Sequence, residues 1–286
     1  MRNRKQHRTE RVLDRWVNIF FTLALIFVFI LYGDAQDHQQ ILTGVFLAAL
    51  FSILAFIINW LTIDGAISAA IFGSIAYGLG GMQGAAIVLA FFISGSILSK
   101  DLISKEGFLE KKFRRDGKQV WANGFWFAIW ILCWFLTEKE IFLIAGVTAI
   151  AMSASDTWAT EIGDKRIKGK TWLMTNWQRV QPGTDGGVSI FGTLAALLGA
   201  VFIAGIFWVL KMSISFSSII VISLIGFSGC LVDSYIGARF QNRDYKFSWL
   251  TLFGRENMYV SNNFVNWISA GIASLISLIL ILIIGV

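Results

Sequence analysis

The sequence predicts an all-α polytopic membrane protein. Of its 286 residues, 56% are hydrophobic and only 15% are charged, whereas soluble domains carry about 25% charged residues. A chain of this length has too little interior to remove so much apolar surface from water. The same composition excludes a disordered chain. A secreted disulfide scaffold is excluded as well, because both cysteines, Cys133 and Cys230, lie in apolar runs.

Nine apolar runs are the candidate membrane-spanning helices. The first run is not a signal peptide, because it lacks a small-residue cleavage site. A span needs about 20 apolar residues, and several middle runs are shorter. We therefore expect tilted helices, helices that include flanking polar residues, or half-helices that meet inside the protein. No soluble domain is left over, since the longest polar stretches are loop-sized. The predicted spans are residues 16–32, 41–59, 66–80, 84–99, 122–136, 141–155, 189–209, 217–236 and 265–285.

The basic residues orient these spans. Those that precede the first span place the N-terminus in the cytoplasm. Alternate crossings then leave only Lys139 and Lys211, of 24 Lys and Arg residues, on the outer side. The net charge of +6 thus reflects topology, and we expect no nucleic-acid partner. We divide the chain into a basic N-terminal segment with the first helix (1–40) and one membrane-embedded domain (41–286).

Four polar sites lie at the predicted cytoplasmic ends of these spans. A carboxylate near a bilayer is costly unless it faces protein or water, so it is a functional candidate. The first site is LTIDGAISA, in which Asp64 stands at a predicted helix N-terminus. A carboxylate there caps free backbone N–H groups. Capping alone explains Asp64 as well as a functional role does.

The second site is SDTWATEIG, which contains Asp156 and Glu161. In an unbroken helix a separation of five residues rotates a side chain by about 140°. Both carboxylates can therefore bind one ion only if the helix ends or bends between them. The alternative is an acid-rich helix end that faces water.

The third site is PGTDGGVSIFGT, a glycine-rich segment that runs into an apolar helix. Such segments leave backbone N–H groups exposed to phosphate oxygens, and the helix N-terminus adds a favourable dipole. It is not a Walker loop, because no Lys follows the glycines. A plain turn is an equally good interpretation of this segment taken alone.

The fourth site is CLVDSYIGARFQ. Asp233 shares a helix face with Gly226, Gly229 and Gly237, so we expect it to face a closely packed neighbour instead of lipid. A packing carboxylate without chemistry is the alternative. An Asn-rich segment, NNFVN, enters the last span nearby.

Carboxylates, a glycine-rich helix N-terminus and a basic loop together suit a magnesium–nucleotide site. Mg²⁺ prefers oxygen ligands and bridges phosphate oxygens, and phosphoryl transfer depends mainly on positioning and charge neutralisation. The basic loop precedes QVWANG and is rich in Lys and Arg. Basic cytoplasmic loops usually set topology or bind anionic lipid, and that interpretation stays open here.

The sequence resembles an integral-membrane family, formerly of unknown function, that includes transmembrane protein 19 and the plant and cyanobacterial phytyl-phosphate kinases. The matching segments are LTIDGAISA, RRDGKQVWANG, SDTWATEIG, PGTDGGVS, VDSYIGARFQ and NNFVN. The resemblance implies a Mg²⁺-dependent kinase that transfers a phosphoryl group from a nucleoside triphosphate, with CTP as the expected donor. The acceptor is a prenyl or phytyl monophosphate, and the apolar helices are expected to form a lateral groove for its chain.

The candidate residues follow from these motifs and this resemblance. The expected catalytic residues are Asp156, Glu161 and Asp233, and the expected Mg²⁺ ligands are the same three with Asp185. The expected nucleotide-binding residues are Lys100, Arg115, Lys118, Asn123, Gly183, Thr184, Gly186, Gly187 and Ser189, and Asp64 and Asn263 are second-tier candidates.

Two other functions stay open. Short spans and small-residue stripes also fit a transporter or flippase for a lipid or an anionic solute, whose site is expected near the membrane midplane. A cytidylyltransferase would use the same CTP and Mg²⁺ but would release pyrophosphate and form a CDP-lipid. Nucleotide binding separates the first alternative from the kinase, and product analysis separates the second.

Overall fold

The computed structural model describes residues 2–106, 114–167, 169–245 and 258–284, without the side chains of 2–13, 100–106, 164–167 and 258. Within these ranges the chain forms nine α-helices, which confirms the predicted all-α polytopic fold. Eight of them are long and apolar enough to cross a membrane. The helices are α1 (Arg2–Leu31), α2 (Ala35–Ile57), α3 (Ile63–Gly78), α4 (Gly81–Glu106), α5 (Gly117–Thr137), α6 (Glu140–Trp158), α7 (Ile190–Leu210), α8 (Phe216–Phe240) and α9 (Asn262–Ile284).

The short middle spans of the sequence have two different explanations. Helix α3 is truly short: its 16 residues extend about 24 Å, less than the roughly 30 Å of a bilayer core. Helix α5 instead begins earlier than predicted, because the Asp116 side chain accepts a hydrogen bond from the Gln119 backbone N–H and Gln119 bonds back. This reciprocal cap lets a polar turn precede the apolar part of the helix.

Helix α6 is the centre of the bundle. It is continuously buried from Leu143 to Ser155 and packs against α5, α7, α8 and α9. Small residues permit this close approach. A Cβ atom on Gly199 of α7 would lie 2.9 Å from the Ala154 carbonyl oxygen, and one on Gly226 of α8 would lie 2.8 Å from the Ala151 Cβ.

The polar segment between α6 and α7 is folded, although the sequence showed no periodic pattern there. It begins with a π-helix (Ala159–Ile167) that continues directly from α6. A three-stranded antiparallel sheet follows, with strand order β2-β1-β3. Strands of two or three residues are too short to show an alternating pattern. The strands are β1 (Thr171–Leu173), β2 (Arg179–Val180) and β3 (Gly187–Ser189), and a separate pair joins β4 (Asp244–Tyr245) to β5 (Met258–Tyr259).

Candidate functional site

The polar ends of several helices meet at one end of the bundle. The Asp64 carboxylate of α3 accepts a hydrogen bond of 3.0 Å from the backbone N–H of Gly117, where α5 begins. The Asn266 side-chain amide of α9 donates a 3.3 Å hydrogen bond to the Asp156 carboxylate near the end of α6. Motifs that are far apart in the sequence therefore lie close together in space.

Asp156 and Asp233 form the centre of this end of the bundle. Their carboxylates are close enough to repel each other, and Ser269 of α9 lies beside Asp233. Asp233 is only 6% exposed. Among the described residues, its Oδ2 atom and the Oδ1 atom of Asn266 are buried without a hydrogen-bond partner. Two adjacent carboxylates in such surroundings require a cation or a proton to offset their repulsion.

A small polar pocket opens beside this pair. Its volume is about 40 Å³, and its walls include Asp156, Thr160, Gly187 and Ser189. One water molecule requires roughly 10–15 Å³, so the pocket has room for an ion or for phosphate oxygens. The pocket thus joins the end of α6 to the start of α7.

Ser189 fixes the start of α7 at this pocket. Its hydroxyl oxygen accepts a 3.1 Å hydrogen bond from the backbone N–H of Gly192 and so caps the helix. The π-helix packs closely on this turn, since a Cβ atom on Gly163 would lie 2.7 Å from the Gly192 nitrogen. A helix N-terminus carries a partial positive charge and attracts anions. A phosphate at the pocket would therefore be favoured by the α7 dipole.

The glycine-rich turn before α7 is only partly directed at the pocket. Gly183 and Gly186 have φ values of 85° and 71°, which explains why both are glycine. The backbone N–H groups of Thr184 and Gly187 bond within the turn, to the Gln181 and Thr184 carbonyls. Gly187 lines the pocket, whereas Gly183 and Thr184 are exposed.

Two of the four predicted metal ligands, Glu161 and Asp185, form hydrogen bonds with residues outside the acid pair. Glu161 lies on the π-helix, and its Oε1 atom accepts a 3.0 Å hydrogen bond from the Ser99 hydroxyl of α4. The Asp185 carboxylate accepts hydrogen bonds from the side-chain amides of Gln241 and Asn242, which ties the glycine-rich turn to the end of α8. The structure thus brings Asp156 and Asp233 together, whereas Glu161 and Asp185 bond to partners outside this pair.

The side chains of the basic loop and the start of α5, predicted to bind the nucleotide, do not form one cluster in the described part of the structure. Lys118 of α5 lies near Asp14 of α1, whose negative charge it partly offsets. Arg115 and Asn123 line an apolar cavity between α2, α3, α4 and α5. The side chain of Lys100 lies outside the described part of the structure.

The second-tier residue Asp64 has a structural contact on each carboxylate oxygen. It accepts hydrogen bonds from the Thr62 hydroxyl at 2.7 Å and from the Gly117 backbone N–H at 3.0 Å. Thr62 is the N-cap of α3. Asp64 therefore caps α5 and joins the starts of two helices.

Asn266 contacts the acid pair, whereas the second-tier candidate Asn263 stands one turn earlier, at the start of α9. The polar face of α9 that contains Asn266 is visible in the sequence, because Asn262, Asn266 and Ser269 are four and three residues apart. Residues at these spacings share one helix face. This spacing identifies the face of α9 that meets α6 and α8.

The donor atoms at the acid pair fit a magnesium ion. No group of three or more His, Cys, Asp or Glu side chains that could hold a metal occurs within the described ranges. Mg²⁺ is commonly bound by one or two carboxylates, with substrate phosphates and water completing its shell. Asp156 and Asp233 supply such a pair, and the Oδ1 atom of Asn266 is a further oxygen donor without a hydrogen-bond partner.

A bundle with eight helices long and apolar enough to cross a membrane defines an integral membrane protein, and its carboxylate pair lies beside a helix N-terminus. Residues 46–274 match the model of the family described as "Integral membrane protein DUF92". The chain belongs to this family. All the residues of the acid pair and its pocket lie within the matched segment.

Curated relatives come from archaea, cyanobacteria and plants. An uncharacterized membrane protein of Methanocaldococcus jannaschii is 34% identical over 189 residues, covering 63% of this chain and 74% of the relative. An uncharacterized membrane protein of Synechocystis is 33% identical over 63% of this chain and 71% of its own length. Protein VTE6, chloroplastic, of Arabidopsis thaliana is 28% identical over 78% of this chain and 66% of its own length. No solved structure matches the chain significantly.

Proposed function

We propose that this protein is a Mg²⁺-dependent kinase that converts a prenyl or phytyl monophosphate to its diphosphate, with CTP or another nucleoside triphosphate as phosphoryl donor. The observation that carries the proposal is the Asp156–Asp233 pair, of which Asp156 lines a polar pocket at the start of α7. Family membership and the sequence motifs shared with phytyl-phosphate kinases support it. We place the site at the cytoplasmic face on the charge distribution of the sequence.

A phosphate group of the nucleotide would occupy the pocket between α6 and α7. Gly187 and Ser189 stand at its wall, and the α7 dipole favours the negative charge of a phosphate. Asp156 and Asp233 would hold the magnesium ion, with Asn266 orienting Asp156 through its 3.3 Å hydrogen bond. When bound there, the ion would supply positive charge that offsets the charge of the phosphates.

The reaction needs little more from the protein than position and charge. An oxygen of the acceptor monophosphate attacks the γ-phosphorus of CTP, and the bond from that phosphorus to the β,γ-bridging oxygen breaks. The products are the prenyl diphosphate and CDP, and the acceptor oxygen is already ionised, so no proton has to be removed. This suits a site with carboxylates but no strong general base beside them.

Product analysis with purified protein tests the proposal. The protein in detergent or nanodiscs is incubated with Mg²⁺, CTP labelled in its γ-phosphate and geranylgeranyl phosphate, and the products are separated. The proposal predicts labelled geranylgeranyl diphosphate and an equal amount of CDP, and neither product without Mg²⁺. Release of pyrophosphate with a CDP-lipid would replace the kinase with a cytidylyltransferase. Absence of both reactions, with uptake of a lipid phosphate into proteoliposomes, would replace it with a transporter.

A further inference from the structure

A separate apolar cavity lies between α2, α3, α4 and α5. Its volume is about 210 Å³. Aromatic and small side chains form most of its wall, including Phe51, Phe72 and Ala85. Apart from Tyr77, its polar lining residues are Arg115, Gln119 and Asn123, which all lie at or just before the first turns of α5.

The cavity has the dimensions of a short hydrocarbon chain. Along α4 it extends from Met82 to Phe92, a distance of about 15 Å at the helical rise per residue. This is about half the hydrocarbon core of a bilayer. A cavity of about 150 Å³ binds benzene in another protein, so the present volume suits one to two five-carbon units, with the rest of a longer chain in the lipid.

A positively charged residue, Arg115, is fixed at the polar end of this cavity. Its backbone N–H donates to the Trp60 carbonyl at 3.0 Å and its carbonyl accepts from the Thr62 N–H at 3.1 Å. Its guanidinium lies 5.2 and 5.3 Å from the ring centres of Phe91 and Phe92. Burial lowers the pKa of Arg115 to about 10, and the Glu161 carboxylate counteracts this effect. The side chain is therefore charged at neutral pH.

The polar end of the cavity borders the last turns of α6, which also carry Asp156. The Ser153 hydroxyl donates a hydrogen bond of 3.3 Å to the Asn123 carbonyl. A Cβ atom on Gly95 of α4 would touch both the Arg115 guanidinium and the Thr157 methyl group. An anion held by Arg115 would thus lie beside the helix end at which the nucleotide is proposed to bind.

We infer that this cavity binds the isoprenoid chain of the lipid phosphate, with Arg115 binding the phosphate group. The inference rests on the proposed function and assigns Arg115 to the acceptor instead of the nucleotide. We expect the ligand to be an anionic single-chain lipid, because the apolar wall of the cavity ends at the guanidinium of Arg115, which is buried in the protein. A guanidinium binds phosphate through paired hydrogen bonds.

Steady-state kinetics test the role of Arg115. Arg115→Gln should raise KM for geranylgeranyl phosphate by roughly tenfold to a hundredfold, the loss of a charged hydrogen-bonding group. KM for CTP should stay within about twofold of wild type, and Arg115→Lys should recover part of the loss because it restores the charge. Equal increases in both KM values would contradict the assignment to the acceptor.

A matched pair of alanines tests the cavity itself. Ala85 lines it, whereas the neighbouring Ala86 lies in a different groove, formed by α4 and α7. Ala85→Phe should raise KM for geranylgeranyl phosphate about tenfold, the effect expected when roughly two methylene groups lose their apolar contacts. Ala86→Phe adds the same side chain and should leave KM unchanged. Similar effects of both substitutions would overturn the proposal.

Photolabelling separates a failure of this inference from a failure of the proposed function. A geranylgeranyl phosphate with a diazirine near its phosphate end is crosslinked without CTP, and the labelled peptides are identified by mass spectrometry. The inference predicts labelling of α3 and α4 at the cavity, weakened by Arg115→Gln and by excess unlabelled geranylgeranyl phosphate. Such labelling without any kinase activity would support the lipid site and contradict the proposed kinase function. Labelling elsewhere, or equally strong labelling by the diazirine-bearing alcohol, would overturn the lipid-phosphate site whether or not the protein is a kinase.

Discussion

Asp156 of α6 and Asp233 of α8 place two carboxylates side by side at one end of the helical bundle. Asn266 of α9 donates a hydrogen bond to Asp156, and Asp233 retains a buried oxygen without a hydrogen-bond partner within the described ranges. Three helices that are distant in the sequence thus contribute to one centre. The repulsion between the carboxylates has to be offset by a cation or a proton.

Asp156→Asn and Asp233→Asn should each lower kcat for prenyl-phosphate phosphorylation by about 100-fold or more, as expected when a group that organises transition-state charge is lost. The measurement is transfer of the γ-phosphate of CTP to geranylgeranyl phosphate by purified variants. Asp37→Asn is a matched control, because Asp37 belongs to the cap at the start of α2. Full activity in both site variants would remove the acid pair from the catalytic site.

Magnesium should stabilise the wild-type protein through the same pair. A ligand that binds only the folded state raises the unfolding temperature, so Mg²⁺ should raise Tm in detergent relative to EDTA. Asp233→Asn removes one of two repelling charges. Its Tm in EDTA should equal or exceed that of the wild type, and Mg²⁺ should no longer raise it. A magnesium effect that persists in this variant would place the binding site elsewhere.

Asn266→Ala should reduce kcat by about tenfold to a hundredfold, the usual effect of removing a group that orients a metal ligand. The comparison variant is Asn262→Ala, one turn earlier on the same face of α9, where the side chain is exposed. Asn262→Ala should change kcat less than about twofold, because the exposed Asn262 side chain is not expected to orient the acid pair. Equal kcat values in the two variants would show that the contact between Asn266 and Asp156 has no catalytic role.

Gly199→Ala and Gly205→Ala test the packing that brings α7 onto α6. A Cβ atom on Gly199 would lie 2.9 Å from the Ala154 carbonyl oxygen, whereas nothing lies within 4 Å of one on Gly205. Gly199→Ala should destabilise the protein by about 1–3 kcal/mol. Gly205→Ala should be neutral or stabilising by up to about 1 kcal/mol, since alanine favours helix. Thermal unfolding in detergent measures both, and an undiminished Tm for Gly199→Ala would contradict the observed helix contact.

The helices could be predicted from the sequence because each one carries a continuous apolar run. Their ends were less predictable, since a polar turn such as the one that begins at Gly117 joins the helix through a cap that hydropathy does not detect. The strands on either side of the glycine-rich turn could not be predicted. Two or three residues give no alternation, and their pairing depends on contacts between distant segments.

The acids at the helix ends were also predictable, because charged residues beside apolar runs are conspicuous. Their partners were not, since these depend on how each helix is rotated and packed. Asp156 faces Asn266, while Glu161, five residues later, contacts Ser99 across a different interface. From the sequence alone, the two acids could either bind one ion together or face different surroundings. Helix packing gives them different partners.

The most direct measurement of the central claim is a structure of the protein with Mn²⁺ and a nonhydrolysable CTP analogue, with the metal located by its anomalous signal. We predict one metal peak within coordination distance of Asp156 and Asp233, with nucleotide phosphates at the start of α7. A metal peak away from both carboxylates, or a nucleotide bound at the opposite end of the bundle, would contradict it.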